Sequence, residues 1–286
     1  MKIGFIVDSA ADITKDMQEK YDIKVIPLCP TVDDVTYTPG VDVTNEEYYD
    51  ILINSKEFPT TSQPPREVVA DAFREMLEKY DTVIYVTISS LGSETYNVAC
   101  MAAKEFIDNG ADLTVFDSLQ YCVAIGVPVV NAAKKRDEGA SKEEILEYLQ
   151  TATRRDLPYF LVDDMTQLKR GGRIKASKVV IANLLDIKPI LWAHEGLTQV
   201  MDKVRGSKKS VAKLVDIMIE RGDNLAEEEV VVMHARGGEK LELLLKLIDE
   251  KVSPKSVKVY EIGPTIVTHS GLGVTGIYFK HKEGSW

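Results

Sequence analysis

Hydrophobic and polar positions along the 286-residue chain alternate between two periods. Short apolar runs at 3–7, 24–28, 82–88 and 113–116 have the length of buried strands. Between them, apolar residues recur at helical spacing: Val68, Phe73, Met76 and Leu77; Val98, Met101, Ala102 and Phe106; Ala124, Val127, Val130 and Ala133. Such alternation predicts a parallel sheet covered by helices. Ligands of these sheets bind beyond the carboxyl ends of the strands, where loops lead into helices. The second half predicts strands at 159–162, 188–191, 197–204, 229–233, 256–262 and 274–279, with helices at 207–221 and 238–250. A helix over 142–154 closes the first half. The expected fold is therefore α/β, with an N-terminal domain at 1–155 and a C-terminal α/β domain at 156–286.

Composition narrows the class. Hydrophobic residues at 44% and charged residues at 28% describe a soluble globular chain. Its longest apolar stretches, such as 179–185, fall far short of the roughly 20 residues that span a bilayer. The N-terminus has no signal-peptide pattern. Cys29, Cys100 and Cys122 show no CxxC spacing, and the four histidines have no ligand-like spacing, so no structural metal is expected. A cytoplasmic location follows as the expectation.

Charge is uneven within the net −10. Residues 1–150 carry 13 basic against 27 acidic side chains, whereas 151–286 carry 22 against 18. Ten of those basic residues fall within 169–209, beside three acids. A basic segment in an acidic molecule suits phosphate, a carboxylate or an acidic partner, or else is a solvated helix face. Nucleic acid is not expected, since no recognition motif accompanies the charge.

Several loops carry candidate chemistry. Asp8-Ser9-Ala10-Ala11-Asp12 ends the first strand and reads as a capping turn. Thr60-Thr61-Ser62-Gln63-Pro64-Pro65 and Ser89-Ser90-Leu91-Gly92-Ser93-Glu94-Thr95-Tyr96-Asn97 both open helices. Each is read either as a helix start or as an anion site built from free amides and hydroxyls. Leu168-Lys169-Arg170-Gly171-Gly172-Arg173-Ile174 joins close-approach glycines to charge-assisted donors, and the segment around Arg205 repeats the theme. His269 stands among glycines before the last strand. No Walker A loop, GxSxG elbow or HExxH helix is present.

Taken in order, these motifs resemble the DegV family of bacterial fatty-acid-binding proteins along nearly the whole chain. Asp8-Ser9 with Asp12 matches the family's DSxxD, and Thr61-Ser62-Gln63-Pro64 its TSQP. Ser93, Thr95 and Tyr96 fall on its SGTY-type loop. Asp117-Ser118, the 168–174 loop, Lys188-Pro189-Ile190-Leu191 and the 203–209 segment follow. Ile262-Gly263-Pro264 with His269, Gly271 and Gly273 ends the series. Glu94, Pro65, Leu272, Cys122 and Ala124 depart from the usual residues; Glu94 either sets an acid beside the candidate site or points outward as a first-turn helix acid.

The resemblance implies a non-enzymatic protein holding one long-chain fatty acid in a tunnel between its domains. The carboxylate would meet the hydroxyls of Thr61, Ser62 and Ser93, with no cofactor beyond the lipid. Arg170, Arg173, Arg205 and His269 would line the tunnel mouth or dock a separate fatty acid kinase, which makes acyl-phosphate for phospholipid synthesis. Transient membrane contact without a span is compatible with that role. On the residues alone, two alternatives stay open. One is an enzyme transferring phosphoryl or acyl groups, using Arg173, Arg205 and His269; the other is a regulatory module sensing a small carboxylate.

Overall fold

The structure is a computed structural model that describes residues 2–175 and 186–285; the apolar stretch at 179–185 and Lys178 lie outside the described residues. The chain divides into two compact units, Met1–Arg154 and Arg155–Trp286.

Unit 1 runs β1 (Ile3–Asp8), α1 (Lys15–Tyr21), β2 (Ile23–Ile26), β3 (Pro30–Val32), β4 (Val35–Thr36), α2 (Asn45–Asn54) and β5 (Thr60–Thr61). It continues through α3 (Arg66–Leu77), β6 (Thr82–Thr87), α4 (Thr95–Asp108), β7 (Asp112–Asp117), α5 (Val123–Asp137) and α6 (Lys142–Arg155). The main sheet has the order β2-β1-β6-β7 and is parallel throughout. Every residue of β1 and β6 is buried, as expected for central strands covered on both faces. On one face Ile6, Phe73, Tyr85 and Ala99 pack into a core between sheet and helices. On the other, α5 comes so close to the first loop that a Cβ on Gly126 would collide with the carbonyl of Ala11. That contact requires glycine inside a helix, where it is otherwise disfavoured.

Strands β3, β4 and β5 and helix α2 of this unit were not expected from periodicity. Strands β3, β4 and β5 form a small antiparallel sheet, each only two or three residues long. Helix α2 starts at a capping box in which Thr44 and Glu47 bond each other's backbone N–H. Thr44-Asn45-Glu46-Glu47 states that signal in the sequence.

Unit 2 comprises β8 (Tyr159–Leu161), α7 (Thr166–Arg170), β9 (Ile187–His194), β10 (Leu197–Arg205), α8 (Ser207–Arg221) and β11 (Glu229–His234). After these come α9 (Gly238–Lys251), β12 (Ser256–Glu261), α10 (Pro264–Ser270) and β13 (Thr275–Tyr278). Its sheet runs β10-β9-β8-β13-β11-β12; only β11 and β12 pair in parallel. Val211, Leu214, Val215 and Met218 of α8 bury against Tyr159, Val230, Ile277 and Phe279. The observed α8 coincides with the helix predicted at 207–221, and α9 exceeds its prediction by one residue.

Candidate functional site

In unit 1 the carboxyl ends of the parallel strands are stitched together by side chains. Asp8 is fully buried, accepting from Ala10 N at 3.1 Å and from Ile88 N at 2.7 Å. It thus caps its own turn and ties the end of β1 to the end of β6. Burial pushes its carboxyl up to about 7, outweighing the backbone donors that pull it down. Ser9 Oγ accepts from Leu28 N at 2.9 Å, fastening the segment after β2. Asp117 Oδ1 accepts from Ser90 N and Leu119 N, both at 3.1 Å, and Ser89 N donates to Gln120 O at 3.0 Å.

The candidate hydroxyls hang from these stitches. Thr61, half-buried, pairs with Pro30 across β5 and β3, and exposed Ser62 donates its N–H to Cys29 O at 3.2 Å. Cys29 follows Leu28, the residue held by Ser9. On the other side, Ser93 N donates to Ser89 O at 3.1 Å, and Ser89 follows Ile88, held by Asp8. A continuous string of bonds through Cys29, Leu28, Ser9, Asp8, Ile88 and Ser89 therefore anchors both hydroxyl loops to one sheet edge.

Ser93 Oγ lies 2.8 Å from the Thr95 hydroxyl and accepts from Thr95 N at 3.3 Å, so it serves as a local cap as well. Gly92 is needed next to it, because a Cβ there would collide with the Tyr121 ring. Glu94 is exposed and its carboxylate accepts from Asn97 Nδ2 at 2.7 Å, which turns its charge outward along α4. The sequence did not mark Tyr85, whose fully buried hydroxyl has no hydrogen-bond partner among the described residues. Burial, then the charge of Asp8, pushes that phenol well above its ordinary value. In sequence it reads as one more aromatic core residue of a strand.

Unit 2 brings together some of the expected basic residues. His269, near the end of α10, has its Nδ1 2.8 Å from where a Cβ on Gly171 would stand, so glycine admits the imidazole to the loop after α7. Arg173 donates to Gly171 O in that loop. Burial first, and then the Arg173 charge, holds His269 down at about 4. At neutral pH it is an uncharged hydrogen-bonding group and adds nothing to the basic charge. Arg170 is exposed in the last turn of α7.

Arg205 is exposed at the far end of β10. The loop carrying Arg173 meets that strand near its beginning, where Ile174 bridges Thr198. Seven residue steps of strand lead from Thr198 to Arg205, a distance of about 23 Å. Arg173 and His269 form one cluster, and Arg205 stands apart from it. Among the described residues, no group of three or more His, Cys, Asp or Glu could hold a metal ion, and no helix is long and apolar enough to cross a membrane.

Comparison with known proteins bears on this arrangement. A family profile described as "Uncharacterised protein, DegV family" matches residues 2–282. Protein DegV of Bacillus subtilis is 32% identical over 283 residues, covering 99% of this chain and all of that one. A DegV domain-containing protein of Caldanaerobacter subterraneus subsp. tengcongensis is 33% identical over 281 residues, 98% of this chain and 99% of its own. Among solved structures, one described as fatty acid binding of a DegV family protein from Thermus thermophilus superposes with a TM-score of 0.90 at 28% identity, covering 99% of this chain and 100% of that one. The crystal structure of Bacillus subtilis DegV, described as a fatty acid binding protein, gives 0.84 at 30% identity, with 99% and 100% covered.

Proposed function

This chain belongs to the DegV family, and from that premise we propose that it binds one long-chain fatty acid with the carboxylate held by Thr61, Ser62 and Ser93. The observation that carries this reading is the string of hydrogen bonds anchoring the Thr61 and Ser93 loops to one carboxyl edge of the parallel sheet. Fatty-acid binding by the Thermus thermophilus and Bacillus subtilis relatives supports it. So does the outward turn of Glu94, which directs the acid next to Ser93 in sequence along α4.

The energetics suit a lipid. Burying a methylene gains about 0.8 kcal/mol, so a 16-carbon chain offers on the order of 12 kcal/mol before ordering costs. The polar groups then only have to fix the head. Hydroxyl donors do so without the tight grip of an arginine fork, leaving the carboxylate able to react.

The reading extends to a carrier role. The protein is not itself an enzyme; it presents the bound acyl chain to a separate fatty acid kinase that forms the acyl-phosphate for phospholipid synthesis. Exposed Arg170 and Arg205, with Arg173 and His269, are its docking residues. A spread of about 23 Å along β10 fits a protein–protein contact, which buries about 800 Å² on each partner.

Native mass spectrometry and organic extraction test the first part. One stoichiometric fatty acid is expected in the purified protein, and none in repeated preparations would refute the reading. Replacing Thr61 and Ser93 together by Ala removes two charge-assisted hydrogen bonds, worth about 1.5–3 kcal/mol each at most. Affinity should fall while the fold persists; unchanged affinity would reduce both residues to caps.

A further inference from the structure

Strands β11 and β12 end side by side, with Ile262 N donating to His234 O at 2.8 Å. From β11 the chain turns through Ala235, Arg236, Gly237 and Gly238 into α9. Backbone handedness alternates across that turn: φ is +51° at Arg236, −64° at Gly237 and +49° at Gly238. A left-right-left succession gathers consecutive N–H groups on one side and makes an anion-cradling concavity. Behind it, α9 runs for 14 residues without a side-chain cap, and its amino-terminal dipole adds to the same field.

Backbone geometry alone designates no ligand; the neighbouring strand supplies the second observation. Thr275 stands opposite His234 in the β11–β13 register, so the two side chains leave the sheet on one face. Thr275 is 0% exposed, yet its Oγ1 has no hydrogen-bond partner among the described residues, and neither has Nδ1 of His234. The hydroxyl is aimed at the turn, 3.0 Å from where a Cβ on Gly237 would stand; Cβ of His234 is 3.2 Å from the same point. Buried polar groups are normally satisfied, and two orphans on directly paired residues form an arrangement that a ligand completes.

We infer that the β11–α9 turn binds an oxyanion of the phosphate class, seated on the N–H groups of Gly237 and Gly238 with Thr275 and His234 as inner donors. The backbone N–H groups can only donate, and the Thr275 hydroxyl and His234 imidazole can join them as donors, which favours an anionic acceptor over a cation. Lys240, in the first turn of α9, is neutralised by Asp163 at 2.5 Å, and exposed Glu239 is the opposing acid. The site uses none of Thr61, Ser93, Arg173 or His269 and stands independently of the fatty-acid reading.

Free phosphate and the phosphoryl end of a larger molecule share this chemistry, so two probes are used. The ¹⁵N-labelled full chain is titrated with inorganic phosphate, and in parallel with adenosine triphosphate, at constant ionic strength. Saturable shifts centred on the amides of Gly237 and Gly238 are expected. Shifts with phosphate identify a free anion; shifts with the nucleotide alone identify a phosphoryl group carried by a larger ligand. Thr275→Val should bind about tenfold more weakly, as loss of one charge-assisted hydrogen bond predicts. Its unligated form should melt no lower than the parent, since an orphan hydroxyl has been removed. His234→Gln is the second variant, and either one suffices if the other fails to fold. No saturable shift with either probe overturns the assignment, as does binding undiminished in the folded variants.

Discussion

The two units fasten their strand ends by different mixtures of side chains. Unit 1 uses acids and hydroxyls: Asp8 and Asp117 each accept two backbone N–H groups, and Ser9 accepts a third loop. Unit 2 adds imidazoles and a lysine to an acid of its own, Asp156, which accepts from His281 N at 2.9 Å. His281 is buried, with Nδ1 3.1 Å from Phe279 O and Nε2 2.8 Å from the Tyr159 hydroxyl. Because a carbonyl only accepts, Nδ1 carries the proton, and the neutral ring receives the Tyr159 hydrogen at Nε2. Arg221 donates to that same hydroxyl at 3.2 Å. Burial holds His281 at about 4, like His269, whereas Asp8 is raised to about 7. One chain thus contains two units whose buried titrating groups respond to acid in opposite directions.

The largest expected effects test whether close backbone approach is equally strict in both units. Gly126→Ala in unit 1 drives a methyl into the Ala11 carbonyl; Gly276→Ala in unit 2 drives one to 2.7 Å from Tyr159 O and Phe160 Cβ. Each should cost on the order of 3 kcal/mol in denaturant unfolding, since overpacking against backbone has no side chain to yield. A cost below about 1 kcal/mol in one unit would show that its layers can separate.

Acidification comes next. The Asp8 carboxyl takes a proton near 7 in the folded chain and near 3.8 in the unfolded one. Its burial penalty is therefore relieved as pH falls from above 7 toward 3.8, and unit 1 gains stability. Both imidazoles behave oppositely. They protonate at 6.5 when unfolded and near 4 when folded, so their contribution is complete above 6.5 and is lost as pH falls toward 4. Between pH 7 and 5 the balance should shift by about 2 kcal/mol toward unit 1 at Asp8, and by about 2 kcal/mol per imidazole away from unit 2. Hydrogen-exchange protection, corrected for intrinsic rates, reads both. Parallel changes in the two units would break the comparison.

Smaller effects sharpen it. Asp117→Ala should cost about 1–3 kcal/mol, because two loop N–H groups lose their acceptor. Lys240→Met should cost less, about 1 kcal/mol, since its Asp163 partner is largely exposed. Arg205→Ala should change stability by no more than about 0.5 kcal/mol. On the proposed carrier role it leaves bound lipid unchanged while slowing turnover by a reconstituted kinase; full turnover would make it plain surface.

How much of this was legible beforehand depends on the range of the interaction. Strands β1, β6 and β7 and helices α8 and α9 declared themselves, because their apolar periods are local. The hydroxyl loops of Thr61 and Ser93 were marked in the sequence as segments leading into helices; Thr61 lies in β5, five residues before α3, and Ser93 two residues before α4. The turn at Asp8 reads as a cap, but its second bond joins it to Ile88, 80 residues away, and only the parallel pairing of β1 with β6 makes that bond. Arg173 and Arg205 belong to one basic segment in sequence, yet the length of β10 parts them. His269 stood among glycines in the sequence, and nothing there paired it with Gly171, whose missing side chain admits the imidazole.

Strand order also sets a timetable. The main sheet of unit 1 is complete once β7 has been made. In unit 2 the first strand, β8, is hydrogen-bonded to β9 and to the last strand, β13. Its sheet therefore cannot close until Thr275–Tyr278 has left the ribosome. At about 5–20 residues per second, unit 1, complete at Arg154, has a lead of about 6–25 s over its neighbour. Throughout that interval the apolar face of α8 has no Ile277 to cover it. A nascent chain stalled before residue 275 should accordingly carry a protease-resistant first unit and a second unit that chaperones hold.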